Sequence, residues 1–236
     1  MYRRLVHLAI LTVVVLSGYS QQESYSQNTA NTAMVFDANG KPFVNPNPDI
    51  AGSPYFNDRW NYGTVTLKNN AVYKKNALRL DVLNQEVHYL SETNVEMSVA
   101  AGYIKELALT DSVAGRVTHY RFQSGFPAID NQDEKFLYQV LTTGRLTMLV
   151  SVKKNLVTEK NDFSGETHRE YRSYEQLYIC LKGIMVRLKK DRVFILGLMT
   201  DPQDKMEAYV KNQRPDFHST EDIKKIIDYY NSLPLP

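Results

Sequence analysis

One cysteine, Cys180, stands in 236 residues, so no internal disulfide can form. No cysteine lies near residue 20 either, which excludes lipid attachment at an export processing site. The 11 glycines are dispersed and nowhere form a phosphate-cradling loop. His-x-x-x-His and Cys-x-x-Cys spacings are missing, and with them the usual metal-ligand patterns. Ser53 and Ser124 have glycine neighbours, yet neither builds the Gly-x-Ser-x-Gly elbow of hydrolases. Asn-x-Ser/Thr triplets do not occur. An excess of one charge is missing as well. Lys plus Arg number 28 against 26 Asp plus Glu, and Arg3 and Arg4 are the only charges in the first 20 residues. Without them the two signs balance, which excludes electrostatically driven binding to nucleic acid or to an anionic membrane.

What is present begins with a leader. Arg3-Arg4 precedes the apolar run Leu5 to Leu16, then Ser17-Gly18-Tyr19-Ser20. A basic head, about a dozen apolar residues and a small-residue exit have the layout of a secretory signal peptide over 1–20, cleaved after Ser20. The run is too short to span a hydrocarbon core of about 30 Å comfortably. The chain reads as a bacterial export substrate, periplasmic or extracellular, not lipidated and with no membrane-spanning segment once trimmed.

Residues 21–51 are rich in Gln, Asn, Ser and Pro, and predict a flexible arm in which Met34-Val35-Phe36 could add an edge strand. From residue 52 to 236 a single β-rich domain is expected. Leu78, Leu80 and Val82 alternate with Arg79 and Asp81, the period of a half-buried strand, and Leu146, Met148, Val150 and Val152 recur at the same period of two. Lys153 to Ser173 is polar and reads as a long hairpin arm or loop. Leu177, Ile179 and Leu181 share a face, followed by Ile184, Val186 and Leu188. Val193 and Ile195 then read as a further strand, with a hairpin turn at Lys189-Lys190-Asp191. The period changes near residue 201. Asp201-Pro202 predicts a helix start, with Asp201 as its cap. Ser219 and Asp222 approximate a capping box before Ile223, Ile226, Ile227 and Tyr230. The fold class expected is α+β, mainly β: an antiparallel meander, open or partly closed, with two short C-terminal helices over about 201–233 packed on it.

Residues with chemistry are few. His88 and His119 lie in strand-like segments, and Cys180 lies opposite the Leu177/Ile179/Leu181 face and reads as a small buried hydrophobe. Asp130, Asp133 and Glu134 read as solvated turn charges. No catalytic residue, metal or cofactor is assigned. The densest aromatic text is Tyr55, Phe56 and Trp60, the candidate ligand-binding residues. They form either a stacking platform or the anchor that docks the entry segment onto the sheet.

The block from Gly52 to Leu90, with Gly52-Ser53-Pro54-Tyr55, Trp60, Gly63-Thr64-Val65, Tyr73 and Leu78-Arg79-Leu80-Asp81, resembles a group of uncharacterised exported proteins common in Bacteroidota. Ile226-Ile227-Asp228-Tyr229-Tyr230-Asn231 resembles that group's ending. The resemblance implies export and a shared fold, and no reaction. The expectation is an exported envelope protein, a non-catalytic module binding a peptide, glycan or envelope protein. The alternatives are a hydrolase or transferase whose site is assembled from distant residues, with His88 and His119 foremost, and an outer-membrane barrel. The barrel is disfavoured by short strands and a charged helical ending.

Overall fold

The computed structural model describes residues 49–163 and 165–234. The leader, most of the arm and Met34-Val35-Phe36 lie outside the described residues. The first strand, β1 (Ile50–Ala51), falls within the stretch expected to be flexible, with Ile50 buried. Then come β2 (Asn61–Leu67), β3 (Val72–Asp81), β4 (Glu86–Leu90), β5 (Glu96–Ala100), β6 (Ile104–Val113), β7 (Arg116–Gln123) and β8 (Tyr138–Thr142). After them run β9 (Leu146–Lys160), β10 (Thr167–Leu181) and β11 (Ile184–Arg187), and three short helices: α1 (Arg192–Gly197), α2 (Gln203–Gln213) and α3 (Thr220–Ser232). The strands make one sheet in the order β1-β10-β9-β8-β7-β6-β2-β3-β4-β5, with β11 also on β10. Only the β1–β10 pairing is parallel among these neighbours.

The chain therefore makes two meanders, β2 to β5 and β6 to β11, joined in a way that forces curvature. β6 pairs with β2, four strand positions from β5, yet only the single 3-10 turn Ala101–Tyr103 separates β5 from β6. Four inter-strand spacings measure about 19 Å in a flat sheet. A link from Ala100 to Ile104 reaches at most about 14 Å. The β2–β5 sheet must curl to close that gap, and its inner face becomes a hollow. Leu78, Leu80, Val87, Leu107, Leu109 and Phe122 fill the deeper part of it.

The polar stretch from Lys153 is a ribbon. β9 and β10 pair without interruption from Leu181↔Leu146 to Thr167↔Lys160. One end of this ribbon carries Leu146, Met148 and Ile179, which the helices cover with Ile195, Met206, Ile223, Ile226 and Ile227. On the reverse face Tyr138, Leu149, Tyr178 and Phe136 form another small core built from edge-to-face ring contacts.

The C-terminal region departs from expectation in two places. Val193 and Ile195 are helical, because Asp191 caps α1 by accepting from the Phe194 amide at 2.8 Å. Val193 is 80% exposed whereas Ile195 is fully buried, so the two do not share a face. α1 thus precedes the two helices expected over about 201–233, which are present as α2 and α3. Nor does Asp201 cap α2: Pro202 holds that position with no side-chain cap, while the Asp201 carbonyl accepts from Arg145 at 3.3 Å. Ser219 does cap α3, accepting from the Asp222 amide at 3.3 Å.

Candidate functional site

The two faces of β3 and β4 carry opposite chemistry. Registers Leu78↔Tyr89 and Leu80↔Val87 alternate with Arg79↔His88 and Asp81↔Glu86, so apolar groups point into the curl and charged ones point away.

On the charged face lies a closed polar cluster. Arg79, 5% exposed, is flanked by the rings of Tyr55 and Trp60, 3.8 Å and 4.0 Å from its guanidinium carbon. Its Nη2 donates to Glu96 Oε1 at 2.8 Å, and His88 Nδ1 lies 2.6 Å from the same oxygen. Tyr55 is edge-on to the His88 ring and donates to Glu96 at 3.4 Å. The other imidazole nitrogen, Nε2, is buried and faces Glu86 at 3.7 Å and Asp81 at 4.0 Å. Partial burial raises the Glu96 pKa, but hydrogen bonds from Arg79 and His88 outweigh it and hold the carboxyl below its ordinary range. Burial pushes the Tyr55 phenol up to about 12, against the pull of Arg79, so its proton stays on at neutral pH.

The sequence candidates divide accordingly. Tyr55 and Trp60 meet over Arg79. Phe56 turns inward, edge-to-face with Tyr120 and Phe122 at 4.9 and 5.0 Å. Their segment is strapped down at many points. The Phe56 amide donates to the Leu80 carbonyl at 2.8 Å, and Lys154 Nζ donates to the Tyr55 carbonyl at 2.5 Å. Arg59 makes a two-pronged pair with Asp111 at 3.2 and 2.5 Å, and Ser53 hydrogen-bonds Asp58. Elsewhere, His119 is exposed and its Nδ1 lies 3.1 Å from Thr110 Oγ1. Ser124 donates to the Ile104 carbonyl at 2.5 Å. Cys180 packs against the small core that holds Tyr138 and Tyr178, and burial pushes its thiol up, away from a reactive thiolate. Asp130, part-exposed in its turn, is partnered: it accepts from Arg187 Nε at 2.5 Å and Tyr178 Oη at 2.8 Å, which hold its carboxyl low. Asp133 and Glu134 are exposed. Among the described residues no group of acids, His or Cys is arranged to hold a metal ion.

The open feature is on the other face. A half-open trough of about 350 Å³ occupies the mouth of the curl. Leu78 and Val87 form its floor, Val65, Leu67 and Val99 its sides, and Tyr73, Tyr89 and Lys75 its rim. Tyr73 is half exposed, and Lys75 Nζ reaches over the Tyr89 ring at 5.7 Å. Sequence reasoning missed this site because its walls come from four strands. Its only local signal was the inward row Leu78, Val87, Tyr89, which reads as core. No helix among the described residues is long and apolar enough to cross a membrane. The chain matches no protein-family model, no curated protein and no solved structure.

Proposed function

We propose that this chain is an exported, non-catalytic binding module of the cell envelope, holding an apolar stretch of a peptide or partner protein in the β2–β5 trough. The observation that carries it is the trough itself: a concave, apolar, aromatic-rimmed hollow that no described residue fills. Its walls offer few hydrogen-bonding groups, which suits apolar side chains better than a glycan. Lys75 is the one cation on the rim among the described residues and favours a ligand with a carboxylate next to its apolar residues. Export rests on Arg3-Arg4 and the apolar run after them.

A hydrolase or transferase reading draws on one observation, the 2.6 Å approach of His88 to Glu96. The chemistry of the cluster weighs against it. The same carboxylate oxygen already receives Arg79, the Tyr55 phenol is held protonated, and Nε2 of His88 faces two carboxylates rather than a nucleophile.

The test has two arms. Cell fractionation with N-terminal sequencing should recover the protein from the periplasm or medium, beginning at Gln21. Fluorescence anisotropy with labelled Leu- and Phe-rich peptides bearing an aspartate should show binding that Val99→Asp and Lys75→Glu each weaken about tenfold. Binding indifferent to both substitutions, or no binding across the panel, would overturn the trough reading.

A further inference from the structure

The sheet ends at β5, and among the described residues no strand pairs with its outer side. Natural edge strands are blunted by lysine, proline or a bulge, whereas β5 reads Glu96-Met97-Ser98-Val99-Ala100. Its single charge, Glu96, folds back onto Arg79 and His88. The large apolar side chains around the edge face solvent: Val95 is 58%, Met97 48% and Tyr103 70% exposed.

Backbone parity shows which groups are open. Ser91 N donates to Val95 O, and Ala101 N donates to Gln85 O, so Val95 and Ala101 bond inward to the β4 side. In an antiparallel ladder the inward pairs alternate. Met97 and Val99 therefore also bond inward, and Glu96, Ser98 and Ala100 turn their N–H and C=O groups outward. No described residue pairs with them there.

We propose that β5 is a self-association edge, at which a second copy of this chain adds its own β5 antiparallel across a two-fold axis at Ser98. In that register Ser98 meets Ser98, and Glu96 meets Ala100 twice, so all three outward residues of each copy exchange both of their hydrogen bonds. Met97 meets Val99 of the second copy on the trough face, apolar against apolar. Glu96 faces alanine, so no like charges oppose each other. Beyond the strand, the Glu92 turn of one copy falls beside Gly102 of the other. Lys135 lies there, its Cδ 3.5 Å from where a Gly102 side chain would begin. Lys135 otherwise holds only a loose 4.0 Å pair with Asp133 among the described residues. The axis makes this opposite-charge meeting twice. An isologous pairing of this kind consumes the edge and stops at two copies. It does not depend on the trough having a ligand.

A five-residue edge is smaller than a standard interface of about 1,600 Å², so association in the range of about 1–100 µM is expected. Sedimentation of the leader-free chain across that range should show a monomer–dimer equilibrium. Ser98→Pro removes an outward amide and should leave a monomer. Met97→Lys should do the same without any change of backbone. In a Cys180→Ser background, Ser98→Cys should crosslink two copies on mild oxidation, since facing pairs bring Cα atoms within disulfide reach. Val95→Cys, opposite Ala101 in this register, should not. A monomer at every concentration overturns the proposal, and so does a dimer indifferent to both Ser98→Pro and Met97→Lys. Amide exchange decides the remaining case. Protection of Ser98 and Ala100 that rises with concentration supports a second copy, whereas protection at every concentration means that the chain's own arm covers the edge, and overturns it.

Discussion

Arg79 shows how a charged residue survives burial in this protein. Two aromatic faces and one carboxylate replace the water it gives up, and each ring contact contributes about 0.5–2 kcal/mol when desolvated. Glu96 is the partner that makes the arrangement pH-dependent. Its native pKa lies below its ordinary 4.5, so its ionised form is the one the fold favours. The stability it contributes is complete above that ordinary value and is lost as pH falls through the lowered native one. Glu96→Gln should therefore melt earlier than wild type at pH 7, and the gap should narrow as pH falls below the ordinary carboxylate range, as thermal denaturation followed by circular dichroism can check. A second set of residues joins α3 to the sheet. Asn231 accepts from the Leu146 amide at 3.0 Å and donates to the Leu146 and Thr143 carbonyls at 2.8 and 3.3 Å. Gly144 leaves the room for this, since a Cβ there would lie 2.5 Å from the Asn231 side chain. Asn231→Ala should cost about 1–3 kcal/mol, read as a shift of the urea midpoint. Arg145 does similar service, stacking on Tyr230 and donating to the last carbonyls of α3. None of these partners is near in sequence, so none of the contacts was legible there.

At the scale of elements, long strands with an apolar residue at every second position were legible, and short or irregular ones were not. Leu146, Met148, Val150 and Val152 keep that period and fold as β9, whose intervening Leu149 and Ser151 are buried as well. β11 through α1 shows the limit: Val193 and Ile195 have a strand's spacing, but Asp191 sits where its carboxylate can take the Phe194 amide, and a local cap outweighs a two-residue pattern. Gly63 shows the reverse, a residue whose type is dictated by the neighbouring strand. A Cβ at Gly63 would fall 2.2 Å from the Ala108 carbonyl on β6 and 3.1 Å from Leu78 Cδ1. Gly63→Ala should destabilise the protein by about 1–3 kcal/mol, while Thr64→Ala beside it should change little; chemical denaturation of the pair separates packing from backbone effects.

At the scale of the whole molecule, one short connection does most of the shaping. Because β5 reaches β6 through a single turn, the first meander curls, a hollow opens inside it, and β5 is left as the terminal edge of the sheet. The trough and the free edge are two results of the same link. The helices cover the opposite end of the β9–β10 ribbon, so the concave mouth has no such cover among the described residues.

Composition and periodicity alone determined the mainly β character and the helical stripes of α2 and α3, because each depends on side-chain spacing within a single segment. Tertiary structure alone decided that Tyr55 and Trp60 grip Arg79, that Phe56 turns inward, and that Tyr73, Tyr89 and Lys75 share a rim. Those meetings depend on strand order and curvature, and the length of one turn between distant strands sets both.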